Sequence, residues 1–68
     1  MSSKVFKKIR VTGCSSESYE DAIETAIEKA SESLHHLAWF EVQELRGGLG
    51  SDGQIEWQAT IEVAFKLD

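Results

Sequence analysis

An aromatic plate, an amide and a cation stand out among the residues of this chain as a set with one chemistry. Trp39 offers the plate, Gln58 an amide with two donors and an acceptor, and Arg46 a cation able to meet a phosphate. A flat heterocycle with an imide-like edge suits that set: stacking supplies much of the affinity, the amide reads the edge, and the cation meets any phosphate tail. The alternation around Trp39 puts it outside the domain's own core, beside polar neighbours. Gln58 lies on the outward parity of the next strand. If the glycine-rich stretch 47–53 closes a hairpin, residues equidistant from its centre pair, which sets Gln58 opposite Phe40 to Val42 and close to Trp39. The same indole suits a second role, as an interface anchor filling a neighbouring subunit's pocket.

Other reactive types lack the spacing their chemistry needs. His35 and His36 are adjacent, so on a helix they point about 100° apart, and no third ligand is suitably spaced; helix-end solvation is expected rather than a metal site. The glycine stretch matches neither G-x-G-x-x-G nor a P-loop and reads as a hairpin turn. Cys14 has no activating base in sequence and reads as a small turn residue. No Ser/His/Asp set or carboxylate pair stands out, so no catalytic residue is expected. Glu20, Glu24, Glu28 and Glu32 form an i, i+4 row, read as a solvated face that salt or cations would screen in an assembly.

The elements that must position these residues follow from periodicity. In residues 18–37, Tyr19, Ala22, Ile23, Ala26, Ile27, Ala30, Leu34 and Leu37 recur at helical spacing, and Ser18 with Glu20 and Asp21 supplies the start signal. His35 and His36 are expected in the last turn. Residues 4–12 alternate, with Val5, Ile9 and Val11 on one side and Phe6, Lys8, Arg10 and Thr12 on the other, and predict a first strand. Residues 13–16 then read as a short connection of turn formers. Residues 39–46 and 54–67 predict the second and third strands, and the third alternates apolar and polar throughout with Ala64 as the exception. At ~3.4 Å per residue the third strand would reach about 45 to 50 Å, so it is expected to curl around the helix. In the second strand Leu45 falls on the outward parity of Trp39, Glu41 and Gln43. A bulge near Gln43 and Glu44 would return it to the core and set Glu44 and Arg46 on the face of Trp39; alternatively Leu45 is a rim residue facing another subunit.

Bulk properties narrow the class. The 68 residues make one domain, and a domain this small hides only about 60% of the surface of its unfolded chain, so association is the expected remedy. The lone Cys14 fits a reducing cytoplasm. No leader is apparent, and no apolar run approaches the ~18 residues of a membrane span. A net charge of −5 disfavours nucleic acid as a partner.

The segments Val5-Phe6-Lys7-Lys8, Gly13-Cys14-Ser15, Glu20-Asp21-Ala22, His36 to Val42, Glu44-Leu45-Arg46-Gly47 and Val63 to Leu67, in this order and spacing, resemble the dodecins, a family of very small flavin-binding proteins. The resemblance spans essentially the whole chain, residues 1–68. It implies an α+β protomer of order β-α-β-β, with a three-stranded antiparallel sheet wrapped around one helix, assembled as a hollow homododecamer with sites where protomers meet across two-fold axes. It implies that Trp39 stacks on the isoalloxazine ring, that Gln58 bonds the ring edge, that Arg46 serves the phosphate of FMN, that Lys66 helps with anionic ligands and that Glu44 reaches the ribityl hydroxyls. Lys66 departs from the arginine of other members and lacks its bidentate fork. The implied function is non-enzymatic storage, buffering and photoprotective quenching of FMN or riboflavin in the cytoplasm, with coenzyme A as a further possible ligand. A flavin-dependent redox enzyme using the same site, and a structural shell in which Trp39 cements subunits, remain open alternatives.

Overall fold

A computed structural model describes residues 3–68. The order is β1 (Phe6–Ser15), α1 (Tyr19–Ser31), β2 (Leu37–Leu49) and β3 (Ile55–Lys66), and the strands form one antiparallel sheet in the order β1-β3-β2. The β-α-β-β fold expected from periodicity is therefore present. The helix lies on one face, where Ala22, Ala26 and Ala30 are buried against Ala59, Ile61 and Val63 of the central strand, and Ile9, Val11, Ile23, Ile27 and Leu37 close around them. Small residues on the helix let it sit close to the sheet.

Local chemistry explains the helix start. Ser18 is extended and its side chain accepts the amide of Asp21 at 3.0 Å, as the sequence predicts. The buried Ser15 hydroxyl donates to the Asp21 carboxylate at 2.6 Å and accepts the Glu17 amide at 2.9 Å, which ties the end of β1 to the first turn. The helix ends earlier than expected, at Ser31 rather than at residue 37. The Ser31 hydroxyl donates back to the Glu28 carbonyl, and the amides of Ser33 and Leu34 both bond Ala30. His36 then takes a left-handed backbone, φ 64°, which no helical turn accommodates; its carbonyl accepts Lys66 so that Leu37 can pair with Phe65. His35 and His36 thus lie in the reversal after the helix, and Lys29 is the basic residue of the last turn.

β2 outruns its expected limits at both ends and β1 at its C-terminal end, whereas β1 starts two residues later than expected and β3 falls one residue short at each end. Residues 13–15 are strand, not connection, and Cys14 is an exposed strand residue opposite Gln58. Gly13 is required there because a Cβ would strike the Ala22 carbonyl of the helix. At the other end, 47–49 continue β2, and the reversal is confined to a turn in which Gly50 and Gln54 bond at 2.9 Å. The ribbon's length is not absorbed by curling within a compact body. The molecule measures 56 × 20 × 14 Å with a radius of gyration of 14.1 Å, against about 11 Å for a compact domain of this size. The 13-residue helix covers only about 20 Å of that length.

The expected bulge is present: Val42 pairs with Ile61 and Glu44 with Thr60, leaving Gln43 as the extra residue. Leu45 accordingly shares the helix-side face with Ala59, although it stays half-exposed in the single chain. A second irregularity, at Ala38, has no sequence signal. On the helix-side face of β2 and its hairpin, Phe40, Val42, Leu45 and Ile55 are half-exposed and Leu49 is 84% exposed. Among the described residues, no helix is long and apolar enough to cross a membrane.

Candidate functional site

The outer face of the sheet, away from the helix, carries the candidate residues. Opposite residues in an antiparallel sheet share a face, so Phe6, Lys8, Arg10, Thr12 and Cys14 of β1 line up with Lys66, Ala64, Glu62, Thr60 and Gln58 of β3. Beyond them on β2 stand Trp39, Glu41, Glu44 and Arg46, paired with Ala64, Glu62, Thr60 and Gln58. The Thr12 and Thr60 hydroxyls bond across this face at 2.8 Å, and Arg10 and Glu62 form an ion pair at 3.1 Å.

Trp39 faces outward and is 44% exposed, as its parity predicts. It lies opposite the fully buried Ala64, the exception in the alternation of β3, whose small side chain leaves room on the outer face. The ring of Phe6 packs against the indole at a centroid distance of 4.9 Å with the planes tilted by 59°. The indole N–H donates to the Glu41 carboxylate at 3.0 Å, and Lys8 donates to the same oxygen at 2.9 Å. These contacts hold the Glu41 carboxyl below the usual carboxylate range, the indole N–H first and the Lys8 bond and charge after it, while Glu41 raises Lys8. Glu41, Lys8 and Phe6 were not among the residues expected to serve the site. The i, i+2 spacing of Trp39 and Glu41 on a strand was the available signal, since it sets both on one face.

Gln58 is not beside Trp39. The shorter turn sets it opposite Arg46 rather than opposite Phe40 to Val42. It is therefore six residues along β3 from Ala64, the residue facing Trp39, or about 20 Å away along the strand. Gln58 and Arg46 do come together: the Arg46 Nε donates to the amide oxygen, and the amide nitrogen donates to Glu56 at 2.7 Å. Gly48 beside them leaves the space into which the amide extends, since a Cβ there would sit 3.0 Å from its nitrogen. Among the described residues Arg46 makes no ion pair, and one N–H of Gln58 is left over. Glu44 stands one pair along, opposite Thr60. Lys66 is exposed at the other end, opposite Phe6 and near the indole.

One face thus bears two stations: an apolar plate with Lys66 at one end, and an amide and guanidinium with Glu44 at the other. Among the described residues no group of three or more His, Cys, Asp or Glu side chains converges as a metal site would. The family model described as Dodecin matches residues 5–68. A dodecin from Thermus thermophilus is 46% identical over 65 residues, which are 96% of this chain and 94% of that protein. The crystal structure of the tt0972 protein from Thermus thermophilus matches with a TM-score of 0.89 at 45% identity, covering 97% of each chain. The dodecin from Streptomyces davaonensis matches with a TM-score of 0.91 at 40% identity, covering 98% of each. Matched along nearly its whole length in sequence and in fold, the chain belongs to the dodecin family.

Proposed function

We propose that this dodecin is a non-enzymatic flavin-binding protein that stores, buffers and quenches FMN or riboflavin in a hollow homododecamer in the cytoplasm. The observation that carries the reading is the outward indole of Trp39, half-exposed and held at its edge rather than packed into the core. The residues fit a flavin: an exposed aromatic plate for the isoalloxazine ring, an amide with an unspent N–H for its imide edge, and a guanidinium whose Nε is tied to Gln58 while its terminal nitrogens remain for a phosphate. Glu44 is assigned to the ribityl hydroxyls and Lys66 to anionic groups of the ligand.

The separation of the stations supports assembly. About 20 Å of strand lies between Trp39 and Gln58, more than one isoalloxazine ring spans, so a site using both takes the plate from one protomer and the amide from another. A two-fold axis across the ribbons reverses one against the other and brings unlike ends together. The half-exposed apolar residues on the helix side of β2 supply surface to bury in such an assembly. Bound flavin supplies the chromophore; Trp39 stacks on it, and an electron-rich indole in van der Waals contact quenches its excited state. A closed stack of rings leaves little approach for a substrate, which favours storage over turnover.

Titrating riboflavin or FMN into the purified protein, with flavin emission and native mass as readouts, tests this. Strong quenching on binding to a dodecameric particle is expected. Trp39→Ala should weaken riboflavin about hundredfold, in line with the loss of a stacked aromatic partner on each ring. Binding and quenching equal to those of the parent would remove the stacking role. A colourless protein with no affinity for added flavin would make Trp39 a subunit cement instead.

A further inference from the structure

We propose that the Glu41 carboxylate, anchored by Lys8, is the positioning residue for the Trp39 indole, fixing the plane on which the ligand ring stacks; this deepens the flavin-binding reading and rests on it. An outward tryptophan on a strand has few neighbours to choose its rotamer. Here two neighbours restrain the ring. The indole N–H is tied to the Glu41 carboxylate at 3.0 Å, and the Phe6 ring, 4.9 Å away and tilted by 59°, flanks the indole.

The carboxylate itself is fixed by a contact that crosses the central strand. Lys8 belongs to β1 and Glu41 to β2, and their 2.9 Å bond passes over β3 where Ala64 is small and buried. Three charged groups face Glu41. From β1 come Lys8 and Arg10, and from β3 comes Glu62, directly opposite Glu41. Arg10 binds Glu62 at 3.1 Å, whereas Lys8 stands 3.8 Å from Glu62 and 2.9 Å from Glu41. Two cations thus meet two carboxylates, and Arg10 leaves Lys8 to Glu41. The second carboxylate oxygen of Glu41 takes neither bond, so the oxygen shared by Lys8 and the indole is the one that sets the ring. The bond engages the indole at its N–H, in the plane of the ring, and so does not itself cover a face of the ring.

The experiment uses the whole protein labelled with 15N-tryptophan, with the Trp39 indole resonance assigned by its loss in Trp39→Phe. Without flavin, the resonance should move as pH falls through the Glu41 carboxyl, with a midpoint below that group's ordinary value of 4.5. Glu41→Gln should shift the resonance at neutral pH and abolish the titration, and Lys8→Met should raise the midpoint. With riboflavin, Glu41→Ala should weaken binding about tenfold and Glu41→Gln, which keeps an acceptor, should recover part of the loss. An indole resonance and pH profile identical in parent and Glu41→Gln would overturn the proposal. So would riboflavin affinity in Glu41→Ala equal to the parent's. A parent that titrates as described but binds no flavin would instead refute the flavin reading, while its indole titration would still support the Glu41 contact.

Discussion

The two stations of the outer face are built on opposite principles. At the Trp39 end, a large apolar ring is held at its N–H by Glu41 and flanked by Phe6, opposite the buried Ala64. At the Arg46 end, polar groups hold one another: Arg46 donates to Gln58 and Gln58 donates to Glu56, beside a glycine that gives the amide room. The first offers a surface and the second a pattern of donors. Within one chain the long ribbon that displays both keeps them about 20 Å apart along the strand. In the proposed flavin site, that separation is what assigns the two stations to different copies of the chain.

Both stations fail together where they share support. Gly13→Ala would drive a methyl into the Ala22 carbonyl, separating the helix from β1 and β3 beneath the whole face. The expected loss is about 3 kcal/mol or more of stability, as for other severe overpacking; a thermal midpoint within a few degrees of the parent would show that the helix can shift. A smaller effect separates the stations from each other. Arg46→Ala should weaken FMN about tenfold and riboflavin much less, because only FMN carries the phosphate, whereas Gln58→Ala should weaken both alike. Equal losses of the two ligands in Arg46→Ala would remove its phosphate role.

The smallest expected effect is a pH dependence confined to the Trp39 end. Glu41 has its carboxyl lowered by folding, so its contribution is present above its unfolded value of 4.5 and is lost as pH falls through the lower folded value. Lys8 is raised by folding, so its contribution is present below 10.5 and is lost as pH rises through the higher folded value. Stability and riboflavin affinity should be flat between these limits, with a slight loss outside them that Glu41→Gln abolishes on the acid side. Both groups are exposed, so the change is small. An acid-side loss that persists in Glu41→Gln would assign it elsewhere.

Particular residues show how far the sequence could be read and why reading stopped. The period-2 alternation of β3 was strong enough to assign both its faces and to mark Ala64 as the exception, and the alternation of β2 gave the outward Trp39 and the phase error at Leu45 that announced the bulge at Gln43. The cap of Ser18 on Asp21 was equally local. The end of the helix was not: residues 32–37 keep apolar spacing, yet the chain must turn at His36 to pair Leu37 with Phe65, a demand that comes from β3. The strand character of Gly13 and Cys14 also depends on distant partners, since their composition alone favours a turn.

Alternation, capping and the bulge were determined by the sequence, because each depends on neighbours a few residues away and on the fixed periods of strand and helix. Register was decided only in three dimensions. A turn tightened to Gly50–Gln54 slides every cross-strand pair, and that slide moved Gln58 from beside Trp39 to beside Arg46. The physical reason is that which face a side chain takes is set by its own backbone, whereas what lies opposite is set by how the hairpin closes.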